Sequence, residues 1–138
     1  MKNIPSKLYK KIVELVPIVC VDVILKYQGK YVLVKRKTEP LKDNWWIVGG
    51  RALKGEPTIE VARRKINEET GLFCYKLKMV GVYEDTYEKS AWGVPTSSVS
   101  IVYEGEPLSY YPRLDKTISA IKLSTKLPSR FLKRFIKI

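Results

Sequence analysis

The sequence predicts an α/β domain, a mixed β-sheet sandwiched between α-helices. Strand-like apolar runs alternate with segments whose apolar residues recur at helical spacing, and turn residues separate them. A chain of 138 residues, 45% of them hydrophobic, can bury a sizeable core but is short for two typical domains. Residues 1–138 therefore read as a single domain, without internal repeat, low-complexity tract or Gly/Ser linker.

Leu8, Ile12 and Leu15 predict a short amphipathic helix over 6–15 that ends before Pro17. Residues 18–27 and 31–36 predict a hairpin turning at Gln28-Gly29. The loop 37–44, with Pro40 and Asn44, leads to a short strand from Trp45 to Val48 and then to a Gly49-Gly50 turn. Pro57 suits the first turn of a helix, where its missing N–H would have no partner anyway, and Gly71 suits the stop. The helix between them, 57–70, carries an apolar stripe of Ile59, Ala62 and Ile66, with Lys65, Glu68 and Glu69 together on another face. Residues 73–83, 97–103 and 117–123 read as further strands, and 104–116 as a loop of the length usually kept for binding. Phe131, Leu132, Phe135 and Ile136 form an apolar stripe on a C-terminal helix, opposed by Arg130, Lys133, Arg134 and Lys137.

The net charge of +12 predicts attraction to nucleotide diphosphates, and equally to RNA or an anionic membrane. Seven basic residues and no acids lie from Lys116 onward. A core-packed helix with a solvated basic face is preferred there to RNA or membrane contact. Trp92, Tyr110 and Tyr111 are candidates either for stacking a base or for packing. The apolar stretch Ile12–Leu25 is interrupted by Glu14, Pro17 and Asp22, which excludes a spanning helix, and no targeting segment is evident. Cys20 and Cys74 read as free buried thiols in a reducing, cytoplasmic setting rather than as a disulfide.

The chemistry concentrates in residues 50–72. Glu68 and Glu69 suit Mg2+, with Mn2+ as a substitute, because such a cation binds through one or two carboxylates plus substrate phosphates. A carbonyl at Gly50 could add an oxygen, since glycine lets the backbone approach a ligand closely. A solvated helix of mixed charge is the plain alternative for such a segment. Arg36 and Arg51 lie at the ends of strand-like segments converging on the glycines, and guanidinium forks match phosphate oxygens bidentately. Asp22 interrupts a run of Val, Ile and Leu, so its carboxylate must pair with an Arg or Lys of a neighbouring strand or face a polar cavity. Glu56 can reach Arg64 only by folding back from the helix start.

Gly50, Glu56, Arg64, Ile66, Glu68, Glu69, Gly71 and Leu72 match the Nudix box in order and spacing, with Lys65 where the family normally carries Glu. The chain thus resembles the Nudix hydrolases. The resemblance implies a Nudix fold and Mg2+-dependent hydrolysis of a nucleoside diphosphate linked to another moiety. It assigns Glu56 with Arg64 to bracing loop against helix. The N-terminal helix, Pro17, Asp22, Lys35-Arg36 and Trp46 before Gly-Gly-Arg further resemble the GDP-mannose mannosyl hydrolase branch over roughly residues 5–85. In that branch the residues matching Asp22, Arg36 and Arg51 contact the sugar diphosphate and the one matching Glu69 holds the metal, while Glu68 has no counterpart. The Glu replaced by Lys65 is also missing there, and attack falls on the sugar C1 carbon. A homodimer is implied by resemblance alone.

Arg36, Arg51 and Glu68 are the candidate catalytic residues. The branch's general-base histidine has no counterpart, because this chain has no histidine. Glu68, Asp22, Glu84, Asp85, Glu88 or Asp115 could replace it, provided burial raised the pKa toward neutrality. Two other functions stay open. One is attack at phosphorus in ADP-ribose, a dinucleotide or a nucleoside triphosphate. The other is a Nudix-fold module that binds nucleotide or RNA with weakened catalysis.

Overall fold

Strand β1 (Ile18–Tyr27) is the axis of the molecule, whose computed structural model describes residues 4–138. Helix α1 (Ser6–Leu15) precedes it and β2 (Lys30–Arg36) returns from it through Gln28-Gly29, both at positive φ as a tight two-residue hairpin requires. There follow β3 (Trp45–Trp46), β4 (Val48–Arg51), α2 (Thr58–Thr70), β5 (Leu77–Tyr87), β6 (Thr96–Gly105), β7 (Ile118–Ser124), α3 (Ser129–Arg134) and β8 (Phe135–Lys137). The eight strands form a mixed sheet of order β3-β2-β1-β6-β5-β8, with β4 also on β1 and β7 on β2. Only β1 and β6 run parallel.

The alternation of side chains along β1 divides the core in two. Val21, Val23 and Leu25 pack with Val61, Ala62 and Ile66 of α2, while Ile24 packs with Trp46, Tyr83, Val102 and Phe131 on the other face. Asp22 shares the face of Ile24. Helix α2 ends where Gly71 enters the left-handed region at φ 72° and its amide returns to the Asn67 carbonyl. Pro57 stands just outside the helix as its cap, one position earlier than the sequence suggests.

Four expectations need correction. Gly49-Gly50 is not a turn: both residues belong to β4, opposite Asp22 and Val21 of β1, and Ile47 separates β4 from β3. The stripe of α1 is rotated, since Tyr9 and Val13 are buried whereas Leu8 and Leu15 are exposed. The C-terminal helix stops at Arg134, and Phe135–Lys137 pair with β5 instead. A six-residue helix has little stability of its own, and pairing with an open sheet edge satisfies the backbone beyond it. Finally, strand β5 begins at Leu77, not at residue 73.

Candidate active site

The glycine strand β4 lies between a cavity and the acidic side of α2. On the α2 side, Gly49 N–H donates to Glu69 Oε1 at 3.0 Å. On the cavity side, a Cβ at Gly49 would stand 1.9 Å from Asp22 Oδ1 and 2.7 Å from the Val21 carbonyl, so only glycine fits. A Cβ at Gly50 would stand 2.5 Å from Lys65 Cε.

Lys65, Glu68 and Glu69 are neighbours on α2, as the helical reading expects, but they differ in burial. Glu69 turns inward and is buried, while Glu68 stays 46% exposed on its side chain, held by Arg64 at 3.3 Å and Lys65 at 3.4 Å. Positions 68 and 69 are a third of a turn apart, and the inward one meets β4. Arg64 does more than pair with Glu56. Its Nε donates to Glu56 Oε2 at 2.8 Å and its Nη2 to the Arg51 carbonyl at 3.1 Å, while Leu53 N–H donates to Glu56 at 3.3 Å. The loop 52–57 is thereby fixed against α2, and Arg51 with it.

The cavity, about 420 Å³, is lined by Asp22, Arg36, Arg51, Gly49, Gly50 and Cys20, with Tyr9, Trp46, Trp92 and Ser100 on its walls. Arg36 arrives where the β2–β7 register shifts between Lys35 and Arg36, and its Nε donates to the Pro40 carbonyl at 2.8 Å. Arg51 lies over the Tyr9 ring at 4.4 Å, and Tyr9 packs on Trp92 at 4.5 Å between centroids. Asp22 forms no ion pair among the described residues; Ser100 and Arg36 are the polar neighbours that act on it. Of its two readings, the cavity-facing one describes it.

Burial dominates the electrostatics. It raises Asp22 to about 6 against the opposing pull of Ser100 and Arg36. It raises Glu69 to about 7 against Lys65, the Gly49 amide and Arg36. Cys20 is pushed up to about 12 by burial and by Asp22, with Arg36, Arg51 and Lys65 acting the other way. Four charged side chains thus converge on one thiol, which is inert as a neutral group. Both cysteines are free.

Asp85 is removed from the list of bases. Its side chain is 1% exposed, receives Arg130 Nε at 2.7 Å and the Tyr83 hydroxyl, and lies 3.3 Å from Arg134. Although burial raises its pKa, Arg130 and Tyr83 outweigh that and hold it at about 2. Glu84 and Glu88 are exposed and line no part of this cavity. Asp115 accepts from the Thr117 amide and hydroxyl at 2.8 Å. The sequence reading missed Tyr9 and Ser100 as cavity residues. For Tyr9 the signal was its four-residue spacing to Val13; for Ser100 no signal was available, because only the pairing of β6 with β1 brings it to Asp22.

Among the described residues no three His, Cys, Asp or Glu side chains are grouped to hold a metal. Glu68 and Glu69 fit a single cation only if substrate oxygens complete its shell.

The fold is an α/β domain, a mixed sheet flanked by helices, with arginines and acids gathered about a glycine strand. The chain belongs to the Nudix family, whose NUDIX domain matches residues 16–123. It is 31% identical over 88 residues to the low-salt glycan biosynthesis protein Agl8 of Haloferax volcanii, covering 64% of this chain and 56% of that one. It is 40% identical over 67 residues to the ADP-ribose pyrophosphatase of Methanocaldococcus jannaschii, covering 49% and 40%. The aligned part is thus about half of these relatives or less. The fold is similar to that of a MutT NUDIX hydrolase from Burkholderia pseudomallei, with TM-score 0.72, 23% identity, and coverage of 86% and 95%. Among the described residues no helix is long and apolar enough to cross a membrane.

Proposed function

We propose that this chain hydrolyses a nucleoside diphosphate derivative of the ADP-ribose kind by attack of water at phosphorus. One observation carries the reading: Arg36, Arg51 and Asp22 line a single cavity whose glycine wall has Glu69 directly behind it. The likeness to an ADP-ribose pyrophosphatase supports it.

In this reading Arg36 and Arg51 hold the diphosphate oxygens and stabilise charge that gathers on them in the transition state. Glu68 and Glu69 would hold a divalent cation, Mg2+ or Mn2+, which would supply charge neutralisation of phosphate oxygens and polarisation of the phosphorus centre. Asp22 takes the proton of the attacking water, because a carboxyl raised to about 6 exchanges a proton readily near neutral pH. Tyr9 and Trp92, their rings tilted by 56°, offer an aromatic corner for the nucleoside.

A second reading is a nucleotide sugar such as GDP-mannose, cleaved at sugar C1. Lys65 in place of a carboxylate supports it. One experiment decides: the chain is incubated with Mg2+ and ADP-ribose, GDP-mannose, a dinucleotide or a nucleoside triphosphate in 18O-labelled water. Label in a phosphate product is expected. Label in a sugar hydroxyl would favour the second reading, and absence of turnover on every compound would overturn the hydrolase assignment.

A further inference from the structure

We infer that the Lys65 ammonium is a tethered cation of the diphosphate site, standing in for one divalent ion and binding diphosphate oxygens directly. The inference rests on the diphosphate reading above and names what occupies part of that site. The Lys65 stem lies across Gly50, with Cδ 2.9 Å, Cε 2.5 Å and Nζ 3.1 Å from where a Cβ would be, so the absence of a side chain at Gly50 gives the lysine its path. Its side chain is only 16% exposed. Nζ is 3.4 Å from Glu68 Oε2, and Lys65 is the strongest cationic influence on Glu69. It also acts on Cys20, whose side chain lines the cavity beside Arg36 and Arg51.

A lysine held in this manner has a purpose beyond neutralising Glu68, which Arg64 already reaches at 3.3 Å. An ammonium has three donors and needs partners for them when it is largely buried. Among the described residues Nζ makes one hydrogen bond, to Glu68 Oε2 at 3.4 Å, and lies beside the glycine strand, where phosphate oxygens would complete its shell. Replacing a carboxylate by an ammonium also changes the local charge by two, so this position repels a second cation instead of attracting it. No such charge follows from the box pattern alone.

The test is equilibrium binding of inorganic pyrophosphate to the full chain, with Mg2+ and with EDTA, beside Mn2+ binding read by electron paramagnetic resonance. The wild-type chain is expected to bind pyrophosphate in EDTA within about tenfold of its affinity in Mg2+. Lys65→Met keeps the stem over Gly50 and is expected to weaken binding in EDTA by about tenfold or more, the worth of a charge-assisted hydrogen bond. Lys65→Arg, which restores the charge, is expected to recover part of that loss. Lys65→Glu is expected to bind Mn2+ about tenfold more tightly than wild type. If Lys65→Met stays folded by circular dichroism and binds pyrophosphate in EDTA as wild type does, Lys65 is a purely structural residue and the inference is overturned. Unchanged Mn2+ affinity in Lys65→Glu would overturn it as well. If the wild-type chain binds no pyrophosphate even with Mg2+, the diphosphate reading itself falls, a distinct result from the loss of Lys65's role alone.

Discussion

Glu69 Oε1 accepts the Gly49 amide at 3.0 Å, tying α2 to β4 through an acid that burial has raised to about 7. Glutamine would keep the acceptor and remove the charge. Glu69→Gln is therefore expected to fold normally and to lower kcat with Mg2+ about a hundredfold, the scale of removing one group that stabilises transition-state charge. Steady-state kinetics beside a thermal melt separates the two effects. Unimpaired turnover would place Glu69 outside the chemistry.

Stability should fall as pH rises across the neutral range. Asp22 is raised from 3.8 to about 6 and Glu69 from 4.5 to about 7, so in both cases the fold favours the neutral acid. That contribution is complete below the ordinary pKa values and is lost as pH climbs through 6 and 7. Urea unfolding in EDTA is expected to show a drop of about 2 kcal/mol or more between about pH 5 and about pH 8. Asp22→Asn should remove about a third of the drop, because most of the Asp22 contribution is already lost below about pH 5. A flat profile in the wild-type chain would contradict the burial of these acids.

Asp85 has the opposite role, anchoring the C-terminal segment by its contacts with Arg130 and Arg134. Asp85→Ala leaves the Tyr83 hydroxyl and two guanidinium groups without their partner and is expected to cost about 3 kcal/mol. Hydrogen exchange should accelerate first at Phe135–Lys137, which pair with β5 beside it. Since Asp85 is held at about 2, this stabilisation is present above the ordinary 3.8 and is lost only as pH falls through about 2.

Tyr9 carries the Arg51 guanidinium on its ring. Tyr9→Ala is expected to raise KM about tenfold with kcat changed much less, because the cation loses its platform and the nucleoside loses a wall. Equal losses in kcat and kcat/KM would show instead that Arg51 acts mainly in the transition state.

The limits of sequence reading follow from the range of the interactions concerned. Helix α2 was legible because Pro57 and Gly71 act within their own few residues. The hairpin at Gln28-Gly29 was legible for the same reason. Which way Glu69 faces was not, since the answer depends on β4, twenty residues earlier in the chain and brought close only by the sheet. The same holds for Asp85 and Arg130, 45 positions apart. Phe135 and Ile136 fit a helical stripe equally well, and the free edge of β5 decided between helix and strand. At the site, Asp22, Arg36 and Arg51 could be singled out as charges at strand positions, but their shared cavity and its Tyr9 wall required the packing of α1.

Strand β1 pairs with β4, β6 and β2 along its length. Its amides should consequently be among the slowest to exchange, opening only when the whole molecule does. The floor of the cavity therefore opens only with the whole fold, and mutations that retune substrate choice there will be screened first by whether the protein survives them. Residues of α1 and of the 88–95 segment rest on that floor from outside. Their exposed positions, not Tyr9, Val13 or Ser90, are where a directed-evolution library can be diverse without collapsing.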